Sequence, residues 1–323
     1  MDDKNFKGHA SLLIAYVIFG LNTPITKAIL THGETSAMAL TFYRFAGAAA
    51  LFWLASLFVK RERVGVRDII LLSIASLFAI VINQTSFIMG LSMTSPIDAS
   101  VITTLVPIMT MIFAAFFLKE PITWKKVIGV LVGAFGALLL IFNGNIVSHN
   151  SASVEGNLLC MLSCLAFAIY LTAFKRLIVR YSAVTSMKWM FLSATVCSFP
   201  FCWSDISAIN YGTIPADIYI RIIFVVLMAT FVSYLLIPVG QKLLRPTIVS
   251  MYNYLQPLVS SFVAVLLGMD TFGWVKSIAA VLIFMGVYIV TQSKSRAQME
   301  QEKIDKCKAL ILSDFTINSN KFS

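Results

Sequence analysis

The chain of 323 residues is 59% hydrophobic, has a mean hydropathy of +0.86 and carries only 12% charged residues. A soluble domain holds about twice that charge, roughly 25%, so composition excludes an ordinary water-soluble globule and indicates a protein solvated by lipid. The net charge of +10 could suggest a nucleic-acid partner, but its distribution along the chain assigns it to membrane topology.

Ten apolar stretches are each long enough to cross about 30 Å of hydrocarbon as a helix of roughly 20 residues. They lie near 9–31, 36–59, 68–92, 96–118, 124–142, 155–179, 183–203, 216–240, 246–268 and 272–292. This predicts an all-α integral membrane protein of ten transmembrane helices, with a polar tail over 293–323. The first stretch follows Lys4 and Lys7 but lacks a small-residue cleavage site before Thr23 and Pro24, so it reads as a retained span rather than a secretory signal. All five tryptophans fall near predicted helix ends, as an aromatic belt places them.

With the N-terminus on the cytoplasmic side, 21 of the 25 lysines and arginines fall in inner connections, helix ends or the tail. The outer connections hold none, although Arg221 and Lys276 lie just inside outer helix ends. This is the positive-inside bias, and it predicts cytoplasmic N- and C-termini. No nucleic-acid partner is expected. The five cysteines show no metal-ligand spacing, and no metal or other cofactor is expected.

A shift of 150 residues overlays the second half on the first: Gly90 meets Gly240, Pro96 meets Pro246, Pro107 meets Pro257, Trp124 meets Trp274 and Gly136 meets Gly286. Two repeats are expected, over 1–143 and 144–292. Five helices per repeat is an odd number, so the second copy enters the membrane from the other side. Inverted repeats recur in secondary transporters, whose substrate site lies between the halves near the midplane.

The ninth span carries "SMYNYLQP" at 250–257, opposite "SVITTLVP" at 100–107. Thr103, Thr104 and Pro107 share a helix face with Ser100, as Asn253, Tyr254 and Pro257 do with Ser250. An unpartnered polar group in hydrocarbon costs roughly 2 to 7 kcal/mol, so Thr103, Thr104, Asn253, Tyr254 and Gln256 are expected to face a cavity. Asn83 and Gln84 in the third span, Tyr234 in the eighth, Tyr170 in the sixth, and Asn22 and Thr23 in the first extend its wall. Pro107 and Pro257 are read as gating positions. Ser100 and Ser250 read as interhelical glue.

Charges inside spans are costly and normally face a cavity or a partner. Arg44 is expected to attract an anionic group of the substrate, or to pair with Asp98. Lys27, nearer a helix end, is a gating candidate, although snorkelling explains it more easily than it explains Arg44. No acidic residue lies mid-span, so exchange or uniport is as compatible as proton coupling. Gly129, Gly133 and Gly136 form a small-residue face for close helix packing, with homodimerisation as a further possibility.

These features resemble the drug/metabolite transporter superfamily, EamA type. The resemblance covers roughly residues 10 to 292 and rests on the two five-helix halves, on "YRFAGAAALF" in the second span and on "FLKEPITWKKVIGVLVGAFGALLLIF" closing the first half. The second half departs, with Asp270 opposite Glu120 and Ala279 opposite Gly129. The resemblance implies a transporter, often an exporter of amino acids or other small metabolites, with the fourth and ninth spans lining a central cavity and the fifth and tenth peripheral. An anion exchanger for phosphorylated or nucleotide-linked metabolites is the alternative, and a membrane ligand sensor the alternative of another class. No HExxH, no paired carboxylates and no P-loop are present, so neither an enzyme nor an ATP-driven pump is expected. A bacterial inner membrane is the expected location.

Overall fold

The computed structural model describes residues 3–33, 35–94, 102–143, 154–209, 211–212, 214–266 and 274–293, with isolated positions 99, 299, 301 and 304. Every regular element among them is helical. In chain order these are α1 (Asp3–His32), α2 (Ala37–Ala55), α3 (Val66–Ser76), α4 (Asn83–Met93), α5 (Val106–Leu118), α6 (Trp124–Asn143) and α7 (Val154–Ala173). They continue with α8 (Lys175–Arg180), α9 (Ala183–Ser207), α10 (Ala216–Val226), α11 (Ser233–Leu243), α12 (Pro246–Met251), α13 (Leu255–Leu266) and α14 (Trp274–Thr291). Five described stretches are long and apolar enough to cross a membrane: Asn5–His32, Ala37–Ala55, Val66–Met93, Val154–Ala173 and Ala216–Leu243. Exposed Phe116, Trp124, Trp203, Trp274 and Val281 on the outside of the bundle are what a lipid solvent permits.

Two π-helical turns interrupt long helices at matching places. Leu77–Ile82 joins α3 to α4, and Leu227–Val232 joins α10 to α11, at an offset of 150 residues. The α1 and α7 helices correspond at an offset of 148: Gly8 with Gly156, Leu12 with Cys160, Phe19 with Phe167 and Lys27 with Lys175. For α2 and α9 the helix caps fix the register. Ser36 accepts from the Ala39 N–H (3.1 Å) and Ser182 from the Thr185 N–H (3.2 Å), each satisfying a free donor of the first turn. From these caps Phe45 matches Phe191, and Arg44 matches Met190.

Packing repeats in exchanged form. A Cβ at Gly90 in α4 would meet Cys160 Sγ of α7 at 2.7 Å, and one at Gly240 in α11 would meet Leu12 Cδ2 of α1 at 2.5 Å. Thus α1 lies against α11, and its counterpart α7 lies against α4. The α2 helix packs on α9, where Phe52 stacks on Phe191 (5.5 Å, 18°), and α6 packs on α14. Gly129 and Gly286 let the α6 and α14 backbones touch: a Cβ at either would come within 2.8 Å of the other's carbonyl oxygen. The glycine stripe of α6 is therefore used inside the chain, against α14 and Tyr254.

Three predicted spans are broken. The ninth divides into α12, a 3-10 turn (Tyr252–Tyr254) and α13. In the fourth, α5 begins at Val106, so Pro107 lies in its first turn. A proline tolerates that position because the amide it lacks has no intrahelical acceptor there. Pro257 likewise falls in the first turn of α13. The sixth predicted span also ends early, at Ala173, and resumes as α8.

Candidate functional site

A partly open cavity of about 80 Å³ lies within the bundle. The α1 helix contributes Phe19, Asn22 and Thr23, and α2 contributes Arg44. Asn83, Gln84 and Phe87 come from α4, Ser163 and Phe167 from α7, and Tyr234 from the start of α11. Thr103, from the segment before α5, and Asn253 and Gln256, from the broken ninth stretch, complete the described lining. Three pairs of corresponding positions meet here: Phe19 with Phe167, Gln84 with Tyr234, and Thr103 with Asn253. The frame is paired, but the chemistry is not. Arg44 stands opposite Met190, Gln256 opposite Val106 and Asn83 opposite Ser233 in the correspondence.

Hydrogen bonds fix much of the wall. Asn83 Nδ2 donates to the Ser163 carbonyl and hydroxyl, both at 3.0 Å, tying α4 to α7. Asn253 Nδ2 donates to the Ser250 carbonyl (2.9 Å) and the Tyr16 hydroxyl (3.3 Å), while its Oδ1 accepts from Gln256 Nε2 (3.0 Å). The Tyr234 hydroxyl donates to Ala79 O (3.2 Å) in the first π turn. Gln84 stands near that hydroxyl, yet both its amide atoms, at a residue 4% exposed, lack a hydrogen-bond partner among the described residues.

Arg44 is 4% exposed and forms no ion pair among the described residues. Its Nε donates to Thr230 Oγ1 at 2.9 Å. That hydroxyl in turn donates to Val225 O at 2.8 Å, five residues back across the second π turn. Asp98, the partner expected from sequence, lies outside the described residues, as do Ser100 and Asp270.

Other sequence-derived candidates lie elsewhere. Tyr254 is turned away from the cavity: its hydroxyl donates to Val130 O of α6 (3.2 Å), and its ring fills the space left by Gly133. Thr104 is buried and does not line the cavity, and neither do Pro107 and Pro257. Lys27 sits off the cavity too, donating to Leu91 O (2.8 Å) and Thr94 O (3.4 Å) at the end of α4. Tyr170 donates to Gln241 Oε1 (3.0 Å). Ser250 bonds back to Thr247 O in its own helix rather than across to a neighbour. Phe19, Phe87, Ser163, Phe167 and Thr230 were not anticipated. Only the equivalence of Phe19 and Phe167, visible once α1 and α7 are aligned, could have flagged any of them.

Long apolar helices bundled around a cavity with polar side chains on its wall define the class of multi-pass membrane proteins. The family model of the EamA-like transporter family matches residues 6–142 and again 154–292. The chain belongs to that family. It is similar to the uncharacterized transporter YyaM of Bacillus subtilis, 24% identical over 86% of this chain and 93% of that protein. The WAT1-related protein At5g13670 of Arabidopsis thaliana is 23% identical over 88% of this chain and 84% of its own length. An S-adenosylmethionine uptake transporter of Rickettsia bellii is 24% identical over 56% of this chain and 59% of its length. Among solved structures, one crystal structure superposes with a TM-score of 0.72 at 18% identity, covering 90% of this chain and 97% of the other.

Proposed function

We propose that the protein is a secondary, non-ATP-driven transporter that moves small metabolites, amino acids or related compounds, outward across a bacterial inner membrane by alternating access. In this reading the chain forms ten transmembrane helices in two inverted five-helix repeats, 1–143 and 144–292, with the tail over 293–323 and both termini in the cytoplasm. The observation that carries it is the meeting of corresponding residues, Gln84 with Tyr234 and Thr103 with Asn253, on one polar cavity. Two similar halves sharing a single site can rock about it and expose it to either side in turn. Arg44, Asn83, Gln84, Thr103, Tyr234, Asn253 and Gln256 form the binding surface in this proposal.

The test is uptake of a labelled metabolite mixture into proteoliposomes of purified protein, with and without an imposed pH gradient. Accumulation of a compound supports transport, and the gradient arm decides whether protons drive it. A compound that stabilises the purified protein but never crosses the membrane would overturn transport in favour of a ligand sensor.

A further inference from the structure

The cavity holds a guanidinium whose strong hydrogen-bonding edge is not consumed by the fold. Arg44 Nε is committed to Thr230 Oγ1 (2.9 Å). Because the Thr230 hydroxyl gives its proton to Val225 O (2.8 Å), only its lone pairs face Arg44. The hydroxyl is therefore a fixed acceptor, and it sets the plane of the guanidinium while the terminal nitrogens remain for another group. A planar fork of that kind matches a carboxylate through two parallel hydrogen bonds. Nearby on the same wall, the buried Gln84 carboxamide has a donor and an acceptor without partners among the described residues. A buried amide left so is costly unless something binding in the cavity satisfies it.

Charge arithmetic narrows the ligand. Among the described residues lining the cavity, Arg44 is the one cation and no Asp or Glu is present. A single carboxylate neutralises the guanidinium. A phosphate monoester, carrying close to two negative charges at neutral pH, would leave one of them without a cationic partner among the described residues of the wall. The rest of the lining is amide, hydroxyl and phenyl, suited to neutral polar groups, to an ammonium held on amide oxygens, and to apolar surface against Phe19, Phe87 and Phe167.

We propose that Arg44, oriented by Thr230, receives one carboxylate of the transported molecule, with the Gln84 amide beside it, and that the site selects monocarboxylates, amino acids included, over phosphate esters. This rests on the transporter reading above and names the substrate class of the same cavity.

The experiment is counterflow into proteoliposomes of the full-length protein with a defined set of probes: the twenty amino acids, their carboxamides, short monocarboxylates, and phosphoserine with phosphoglycolate as phosphate esters. Thermal stabilisation of the detergent-purified protein by each probe is read in parallel. The expected result is that acids are moved and stabilise the protein while the matching carboxamides are at least about tenfold weaker and the phosphate esters are weaker still. Arg44→Gln should erase the preference for acid over amide. Thr230→Val, which keeps the side-chain shape and removes the acceptor, should reduce that preference in a protein that still elutes as a single species. Carboxamides or phosphate esters moved as well as acids would overturn the carboxylate assignment and leave transport standing, as would a folded Arg44→Gln protein with unchanged preference. If the set and a cell extract alike yield no moved solute, the transporter reading fails, and this inference with it.

Discussion

Lys27 and Lys175 hold corresponding places at opposite ends of the bundle. Lys27 Nζ, at the far end of α1, donates to Leu91 O and Thr94 O at the end of α4. Lys175 Nζ, just past α7, donates to Leu244 O at the end of α11 (2.6 Å). Each places a cation on carbonyls that a helix leaves unpaired at its C-terminus. The ends are opposite because Gly8, at the start of α1, lies against Leu243 and Leu244, whereas Gly156, at the start of α7, lies against Met93.

Replacing either lysine should therefore loosen one end only. Hydrogen exchange in detergent should speed up by up to about tenfold over 91–94 in Lys27→Ala and over 241–244 in Lys175→Ala, as expected for losing a charge-assisted bond worth about 1 to 1.5 kcal/mol. Acceleration at both ends in either variant would refute the idea of separate latches. Burial pushes the Lys175 ammonium down to about 8, with Arg245 adding to the effect and Glu120 opposing it. Since its folded-state value is depressed below the ordinary lysine value of 10.5, the charged form is disfavoured by folding. Between about 8 and 10.5 the opened end would take up a proton that the closed end lacks, so the Lys175 end should become harder to open as pH rises through that window, read as slower exchange over 241–244 after correction for intrinsic rates.

The α6 helix depends on having no side chain where the Tyr254 ring lies against it. Gly133→Val would drive its new methyls into the Tyr254 ring, whose carbons lie 2.7 and 2.8 Å from a built Cβ. Overpacking of this kind costs about 1 to 3 kcal/mol, so the unfolding temperature should drop by several degrees. Gly65→Ala, where nothing lies within 4 Å, should leave it unchanged. Equal effects from the two would show that Tyr254 is not close-packed on α6.

Glu62 ties the connection after α2 to the start of α9. Its carboxylate accepts from the Ser182 N–H (2.9 Å) and the Ser182 hydroxyl (2.9 Å). Burial opposes its charge, but hydrogen bonds from Thr185 and Ser182, with Lys242 nearby, outweigh that and hold the carboxyl below its ordinary value of 4.5. A depressed folded-state value means that the stabilisation is present above about 4.5 and is lost as pH falls through the lowered value. The contribution of so exposed a carboxylate should stay under about 1 kcal/mol. Exchange of the 182–186 amides should rise on acidification in the wild type and be fast and pH-independent in Glu62→Gln, after correction for intrinsic rates. Identical profiles would rule out the latch.

Asn253 and Tyr254 are neighbours with opposite assignments. Asn253→Ala removes a cavity wall and the bonds to Tyr16 and Gln256, and transport should fall about tenfold or more. Tyr254→Phe deletes only the bond to Val130 O. It should cost about 1 kcal/mol of stability and leave the transport rate per folded molecule within about twofold. Reversed outcomes would place Tyr254 in the path and Asn253 outside it.

Hydrophobic runs made the membrane helices readable, because lipid demands continuous apolar length and short polar connections. Polar residues interrupting those runs, such as Asn83, Gln84 and Asn253, were readable for the same reason. Tyr254 was misplaced because helical spacing of 100° per residue was applied across a segment that turns as a 3-10 helix, which advances about 120° per residue. Thr230 was silent in the sequence because a threonine in a membrane helix ordinarily bonds its own backbone. Only the wider turn at 227–232 aims it at Arg44. Lys27 read as a charge in a span, but its use of backbone carbonyls depends on where α4 ends, which an apolar run leaves undefined.

The two wide turns at 77–82 and 227–232 also act as spacers. Each takes up more chain than an α-helical turn, so every residue after it is rotated relative to an uninterrupted helix by up to about 100°. Gln84 and Tyr234 follow these turns directly. Deleting one residue from either would make a more regular helix yet swing the downstream face toward lipid, moving a carboxamide or a phenol from the cavity wall into hydrocarbon. Insertions and deletions here should therefore be far less tolerable than in the loops, even though the helix itself would gain hydrogen bonds.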